Sequence, residues 1–163
     1  MASQLEKFEV RNRRTGNIQF TAEISVTENM LPSVKLGLAV KWAICNGANL
    51  SGADLSSTNL RGTNLRGTDL SGTDLRDAYL SGANLSSTNL SGANLRGANL
   101  SRANLSGTDL SGADLSGADL RDCPVKIENI HQKIYESASA DSALNMGDWH
   151  SCLLYTSPSP RDS

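Results

Sequence analysis

The chain has 163 residues and a formal net charge of −2 at pH 7, and aromatic residues make up only 4% of it. This charge argues against a general nucleic-acid binder, because neutralising phosphates requires clustered Lys and Arg side chains. The length predicts one domain with small caps at its ends, and with so few aromatic side chains its core must be built from another residue type.

The first segment, residues 1–47, begins with the pattern of a β-hairpin. An apolar residue occupies alternate positions on both sides of the turn sequence RRTGN: Phe8, Val10, Ile18, Phe20, Ala22 and Ile24. Alternation with a period of two around a turn is typical of two antiparallel strands.

The second half of this segment is predicted to be a capping helix. Ser33 is expected to cap its N-terminus, the helix is expected to run to about Cys45, and Gly47 would lie just beyond its end. Three apolar residues would share one helix face: Leu36, Val40 and Ala43. We interpret this helix as a lid on the repeat region that follows.

Leucine occupies every fifth position from Leu50 to Leu120, which makes fifteen repeats without a gap. On a flat strand a five-residue step would send successive leucines to opposite faces, and on an α-helix it would rotate them by about 140°. The leucines can share one side only if the backbone turns a corner inside each repeat. The period therefore predicts a coil with its leucines pointing towards the axis.

The other repeat positions agree with such a coil. Ala or Thr stands two residues before every one of these leucines and is expected to point inward. The Asp or Asn just before the leucine faces water, with Tyr79 as the exception. Ser or Arg follows the leucine, and then usually Gly, which suits the third residue of a type II turn because that residue needs a positive φ. Five corners carry other residues, for which we expect another turn type: Ser57, Asp77, Ser87, Arg102 and Asp122.

The A(D/N)LxG pattern resembles the pentapeptide-repeat family, of a phage or bacterial type. The resemblance implies an all-β solenoid, a right-handed quadrilateral β-helix with four repeats per coil, here of about four coils over residues 48–125. Cys123 would occupy the small inward slot and Val125 the leucine slot of a sixteenth unit. On this map leucines twenty residues apart stack on one side, in coils about 4.8 Å apart.

The repeat pattern stops after residue 125. Glu128 would fall in the next inward slot, and burying an unpaired carboxylate is costly, so the coil is expected to end there. Ile127, Ile130 and Ile134 favour an amphipathic helix of roughly 127–138, within a segment 126–150 that would close the last coil. Residues 152–162, CLLYTSPSPRD, resemble a translated transposase sequencing adapter. We therefore expect 151–163 to be a disordered, artefactual tail and the natural protein to continue past His150.

The sides of the rod are the only substantial surface that the pattern predicts. The four-repeat map aligns three carboxylates on one face, with two arginines beside them and one outward aromatic residue nearby. This weak candidate interaction surface consists of Asp54, Asp74, Asp114, Arg76, Arg96 and Tyr79. It could imitate a DNA backbone, as in family members that protect DNA gyrase, or its Asp and Asn residues could simply solvate the rod. Eight Asp and six Arg between residues 48 and 122 make a poor phosphate mimic, which favours the second interpretation.

The function predicted from these observations is a non-catalytic structural or protein-interaction module. The alternative is a DNA-mimicking regulator of DNA gyrase or another topoisomerase. We predict no catalytic, cofactor or metal site, a protein partner, and no binding of nucleic acid or membrane. The apolar stretch from Leu31 to Cys45 is too short to span a bilayer. Three cysteines at unrelated spacings form no disulfide framework and favour the cytoplasm.

Overall fold

The computed structural model of the protein describes residues 3–124, in which two strands and one helix precede the repeats. Strand β1 spans Gln4–Arg11, strand β2 spans Ile18–Val26, and helix α1 spans Pro32–Asn46. The two strands pair antiparallel in a two-stranded sheet. The predicted hairpin and the predicted helix are therefore present.

One face of the hairpin is buried because apolar residues alternate with polar ones along β2. Ala22, Ile24 and Val26 are at most 3% exposed, whereas the residues between them are exposed. Val10 in β1 is also buried, at 1% exposure. These side chains join the same hydrophobic core as the leucines of the repeats.

Helix α1 begins at Pro32, two residues earlier than a cap at Ser33 would require. Leu31 precedes the helix with an extended backbone and no side-chain cap, and Pro32 occupies the first helical position. Proline suits that position because its missing N–H is one that the helix leaves without an internal partner. The predicted cap by Ser33 is therefore wrong. Gly47 does end the helix as predicted, in the left-handed conformation with φ 65°.

Residues 48–124 form a coil in which single residues of successive layers pair in parallel. Isolated bridges join residues twenty positions apart, as in Asp54–Asp74 and Asn64–Asn84. Twenty residues are four pentapeptides, so each coil has four repeats and four sides, as the family resemblance implies. The right-handed sense of the coil stays a prediction.

Backbone hydrogen bonds connect each layer to the next in a regular order. The N–H of Leu55 donates to the carbonyl of Asp74 in the next layer, at 2.8 Å, and the N–H of Asp74 donates back to Ala53, at 2.9 Å. Within each corner the small residue donates to the preceding leucine, as Ala53 does to Leu50 at 3.1 Å. Because these bonds satisfy the backbone between layers, the leucine side chains can be buried there without leaving the adjoining peptide groups unpaired. Two hydroxyls of the first coil, on Thr58 and Thr63, are buried without a hydrogen-bond partner among residues 3–124.

The leucine column is the core of the rod. Every inward leucine from Leu55 to Leu100 is 0% exposed, and the small slots beside them are buried at Ala78 and Ala98. Each leucine buried in this way contributes roughly 1.5–3 kcal/mol relative to an exposed one. A chain poor in aromatic residues therefore obtains its stability from a repeated aliphatic contact.

All fifteen corners share one backbone conformation. The ten glycine corners have φ between 61° and 70°, and the five other corners have φ between 55° and 59°. The expectation of another turn type was therefore wrong at Ser57, Asp77, Ser87, Arg102 and Asp122. The reason is the layer bonding, because Ser87 donates to Ser106 at 2.9 Å just as the glycine corners donate to their next layer. These residues accept a strained φ so that the layer keeps its register.

The start of the rod is covered on one side by the hairpin. Residues 11–13 pair antiparallel with residues 52–54 through the bridge Asn12–Ala53. Two backbone hydrogen bonds of 2.8 Å flank that bridge. The end of β1 thus acts as an added strand on the first coil, which protects part of its edge.

Helix α1 covers the neighbouring side of the first coil. The carbonyl of Ser33 accepts the N–H of Asn59 at 3.0 Å. Gly37 is buried, and a Cβ atom added there would overlap the carbonyl oxygen of Asn59. The helix can approach the coil this closely only because residue 37 has no side chain.

At the other end the described residues stop at 124. Cys123 is 8% exposed and its Sγ donates to the carbonyl of Leu100 at 3.0 Å, so it occupies the predicted small slot. Val125, the predicted helix of 127–138, the segment 126–150 and the tail 151–163 lie outside the described residues.

Replacing Ser87 by glycine is expected to stabilise the rod by about 1 kcal/mol, because glycine adopts the corner conformation without steric cost. The matched control is Ser106→Gly. Ser106 lies in the next layer, directly after Leu105 and one residue before its corner, where φ is not positive, so glycine there only increases the conformational entropy of the unfolded chain. Denaturant unfolding should give a higher midpoint for the first variant and a lower midpoint for the second. Equal shifts in the two midpoints would contradict the strain at the corner.

Replacing Gly37 by alanine is expected to destabilise the protein by on the order of 2 kcal/mol, because the new methyl group pushes α1 off the first coil. The sign of this change in unfolding free energy distinguishes a close contact from an open site, because alanine at an exposed helix position would stabilise the protein relative to glycine. Lys41→Ala, at an exposed position of the same helix, is the control and should change little. Hydrogen exchange of the Asn59 amide should accelerate in the Gly37 variant alone; unchanged exchange there would disprove the close contact.

Candidate interaction surface

The structure stacks the predicted carboxylates in one column. Parallel bridges join Asp54 to Asp74, Asp74 to Asn94, and Asn94 to Asp114, and we call this column with its flanking residues side one. Arg76 and Arg96 follow two residues after members of that column, as the four-repeat map predicts.

Tyr79 lies on the next side of the rod, not in the carboxylate column. Bridges join it to Asn59 in the layer before and Asn99 in the layer after, and we call this column side two. Sides three and four are centred on the columns that start at Asn64 and Asp69. The predicted surface therefore spans two adjacent sides.

The outward Asn and Asp side chains have a structural task that the sequence analysis missed. Asp54 Oδ1 accepts the N–H of Ser56 at 3.1 Å, and Asn84 Oδ1 accepts that of Ser86 at 3.1 Å. The same bond recurs at Asn49, Asp54, Asn59, Asn64, Asp69, Asp74, Asn84, Asn89, Asn94, Asn99, Asn104, Asp109, Asp114 and Asp119. Asn and Asp are known to brace turns in this way, and their fixed place before each turn was the available signal.

Asp74 is the most buried carboxylate of side one and is paired with Arg76. The guanidinium donates from Nε to Oδ1 at 2.9 Å and from Nη2 to Oδ2 at 2.7 Å, and the Asp74 side chain is 10% exposed. Burial of the carboxyl is the largest single effect and would raise its pKa. The hydrogen bonds and charge of Arg76, with the charge of Arg13, outweigh burial and hold the pKa below its usual value.

The other two carboxylates of side one are engaged by serines. The hydroxyl of Ser56 donates to Asp54 at 2.7 Å, and that of Ser116 donates to Asp114 at 2.6 Å. The bonds from Ser116 lower the pKa of Asp114, burial opposes them, and the charge of Arg96 adds to the lowering. Side one therefore alternates bonded carboxylates, a neutral amide and an ion pair, which is unlike the even charge spacing of a nucleic-acid backbone.

Tyr79 departs from the outward pattern in two ways. Tyr79 as a whole residue is 41% exposed, and its side chain cannot accept the turn N–H that Asn or Asp accepts elsewhere. The guanidinium of Arg61 lies over the ring, 4.6 Å from its centroid, in cation–π geometry. Arg61 was not among the predicted surface residues. The N–H of Leu60 donates to the carbonyl of Tyr79 at 2.8 Å, and this bond between layers places Arg61 beside the ring.

The part of the chain that the structure describes contains no group of three or more side chains able to hold a metal ion. Cys45 is exposed and Cys123 is buried, and neither is in a disulfide. Within residues 3–124, no helix has both the length and the apolar character needed to cross a membrane.

A family model described as pentapeptide repeats matches residues 43–82 and 83–122 of the chain. No curated protein matches the sequence significantly.

Among solved structures, the chain is similar to pentapeptide repeat proteins of two cyanobacteria. The protein of Cyanothece 51142 is 50% identical over 43% of this chain and 48% of its own, with a TM-score of 0.43. The protein of Nostoc Pcc 7120 is 30% identical over 52% of this chain and 74% of its own, with a TM-score of 0.33. QnrB1, a plasmid-mediated fluoroquinolone resistance protein, is 23% identical over 43% of this chain and 44% of its own, with a TM-score of 0.30. The chain thus spans about half the length of the first of these.

Asp74→Asn is expected to weaken the pH dependence of stability. The folded state lowers the pKa of Asp74, so its contribution is present above the unfolded value near ~3.9 and is lost as pH falls through the lower folded pKa. We expect unfolding free energy at pH 7 to fall by about 1 kcal/mol, with a smaller difference from the parent at pH 2.

Asp69→Asn is the control, because the Asp69 carboxylate accepts the N–H of Ser71 but has no arginine partner among the described residues. Urea unfolding at several pH values measures both variants. If Asp74→Asn followed the same pH profile as Asp69→Asn, the Arg76 pair would not stabilise the fold.

Proposed function

The chain belongs to the pentapeptide repeat family through residues 43–122, and on that premise we propose that it is a non-catalytic protein-interaction module whose contact surface is centred on Tyr79. The observation that carries this proposal is the replacement of the outward Asn or Asp by an exposed tyrosine. Everywhere else along the described coil that position braces the next turn.

The exchange at Tyr79 costs the fold a hydrogen bond. A turn bond of this kind contributes roughly 0.5–1.5 kcal/mol, and Tyr79 cannot form it for the N–H of Ser81. In return the protein exposes an aromatic ring. Tyrosine is enriched among the few residues that contribute most of the binding energy in protein interfaces. Within the fold the ring gains the contact with Arg61, yet it stays 41% exposed, and a residue that breaks the local rule at the surface in this way favours a role outside the fold.

The surroundings of Tyr79 suit a protein contact. Arg61 holds the ring in one position, which reduces the entropy lost on binding. Asn59 and Asn99 flank the ring with short polar side chains, so a partner can reach it. An arginine and a tyrosine side by side are among the residues that dominate binding energy in protein interfaces.

Side one supplies the rim of the proposed contact. Its charged members are Asp54, Asp74, Asp114, Arg76 and Arg96. Charges at the rim of an interface mainly set orientation and association rate, and both signs are represented here. A mixed rim around an aromatic centre favours a protein partner over a nucleic acid. Cytoplasmic localisation stays a prediction from the cysteine usage.

A DNA-mimicking regulator of DNA gyrase is the weaker candidate. It would need an even row of free carboxylates, whereas Asp74 is neutralised by Arg76 and Asn94 interrupts the column. A supercoiling assay with DNA gyrase separates the two candidates. Inhibition or protection that weakens with salt would favour mimicry over the contact at Tyr79.

A double variant tests the proposal without changing composition. Tyr79→Asn with Asn84→Tyr moves the ring from side two to side three, where Arg66 occupies the place that Arg61 has beside Tyr79. We expect stability close to that of the parent protein, because one turn bond is gained and one is lost. Binding to a partner purified with the parent protein should weaken by at least about thirtyfold, measured by calorimetry. Undiminished binding by the double variant would refute the contact at Tyr79.

A further inference from the structure

The first coil has an edge that later coils do not have. In later coils the outward residue donates its N–H to the layer before, as Asn84 does to Thr63 and Asn89 does to Thr68, each at 3.0 Å. The first coil has no layer before it. Its four outward N–H groups must therefore find other acceptors or face water.

The chain supplies acceptors on two of the four sides. On side one the N–H of Asp54 donates to the carbonyl of Arg11 at 2.8 Å, and on side two that of Asn59 donates to Ser33 at 3.0 Å. The geometry at this end of the rod therefore accepts added backbone, and on side one it does so as an antiparallel strand.

On side three the edge is open. Among residues 3–124, no backbone or side-chain acceptor meets the N–H of Asn64, and its carbonyl accepts no backbone donor. Asn64 is exposed, whereas Leu65 beside it is 0% exposed. What is open here is therefore a pair of backbone hydrogen-bonding groups and not an apolar surface. Unpaired backbone groups at an edge are the usual template for strand addition.

Two arginines flank this open edge. Arg61 and Arg66 stand on either side of Asn64 and are both exposed, and no ion pair involves either of them within residues 3–124. The guanidinium of Arg61 also lies over the ring of Tyr79, whereas that of Arg66 has no aromatic contact among these residues. The corresponding N–H on side four belongs to Asp69, whose carboxylate repels a negative ligand. Charge complementarity thus favours an acidic segment on side three and disfavours it on side four.

We propose that side three of the first coil, centred on Asn64, binds an extended acidic segment of a partner protein by β-strand addition. The segment pairs its backbone with Asn64, as residues 11–13 pair with residues 52–54 on side one. Its carboxylates meet Arg61 and Arg66. This contact shares Arg61 with the one proposed at Tyr79, but its backbone pairing at Asn64 and its charge contact at Arg66 do not involve the Tyr79 ring.

Amide exchange measured by NMR tests the proposal directly. In the free protein the amide of Asn64 should exchange faster than that of Asn84, which is bonded to the layer before. The probe is a seven-residue peptide of alternating Glu and Thr with blocked ends. It should slow exchange of the Asn64 amide and leave that of Asp69 unchanged.

Matched peptides and variants separate charge from backbone pairing. A peptide of alternating Lys and Thr, and a Glu–Thr peptide methylated at its pairing amides, should both fail to protect Asn64. The double variant Arg61→Glu and Arg66→Glu should bind the acidic peptide at least about tenfold more weakly. Arg14→Glu makes the same kind of charge change in the hairpin turn and should bind as the parent does.

Three outcomes would overturn the proposal. Equal protection by the lysine peptide would remove the charge argument, and equal binding of the methylated peptide would remove strand addition. Without peptide, the Asn64 amide could become more protected as the protein concentration rises, and sedimentation could show a dimer. These two results together would assign the edge to a second copy of the chain. Tyr79→Asn removes the ring beneath Arg61 but leaves the Asn64 backbone edge and Arg66 in place, so loss of the contact at Tyr79 alone would not produce any of these results.

Discussion

The corner after each leucine is the constraint on which the whole rod depends. It combines a positive φ at its third residue with a backbone hydrogen bond back to the leucine. At every corner except the one after Tyr79, the turn N–H also donates to the side chain of the preceding Asn or Asp. Only when all corners turn alike do leucines twenty residues apart stack, and only then do the layers exchange their backbone bonds. This is why Ser87 and Arg102 adopt the glycine conformation in spite of its steric cost.

The same constraint determines which surface positions of the rod can vary in residue type. Outward Asn and Asp residues look like a solvating shell, but one side-chain oxygen of each already accepts a turn N–H. Variation is left to the residue after the leucine, where Arg61, Arg66 and Arg76 stand, and to rare exceptions such as Tyr79. Residues with a functional role are therefore expected where the chain departs from the repeat and at the ends of the rod, because the regular repeat positions are needed for the fold.

Parts of the interaction surface followed from the sequence and parts did not. The column of Asp54, Asp74 and Asp114 was predictable, because a four-repeat coil converts sequence spacing of twenty into contact. The stacking of Arg61 on Tyr79 was not singled out, since it joins two repeat positions across layers and depends on side-chain direction. The start of α1 was misjudged for a related reason. Ser33 has the right residue type for a cap, yet Pro32 and the contact of the Ser33 carbonyl with Asn59 fix the start of the helix two residues earlier.

By itself the sequence determined the leucine core, the presence of a corner in every repeat, and the hairpin and helix that precede the coil. These depend on local periodicity, which is written directly in residue order. The tertiary structure alone decided which corners share a conformation, how α1 docks on the first coil through Gly37, and which backbone edge stays open at Asn64. Those features depend on contacts between residues far apart in sequence, where bonding between whole layers overrides the preference of any single residue.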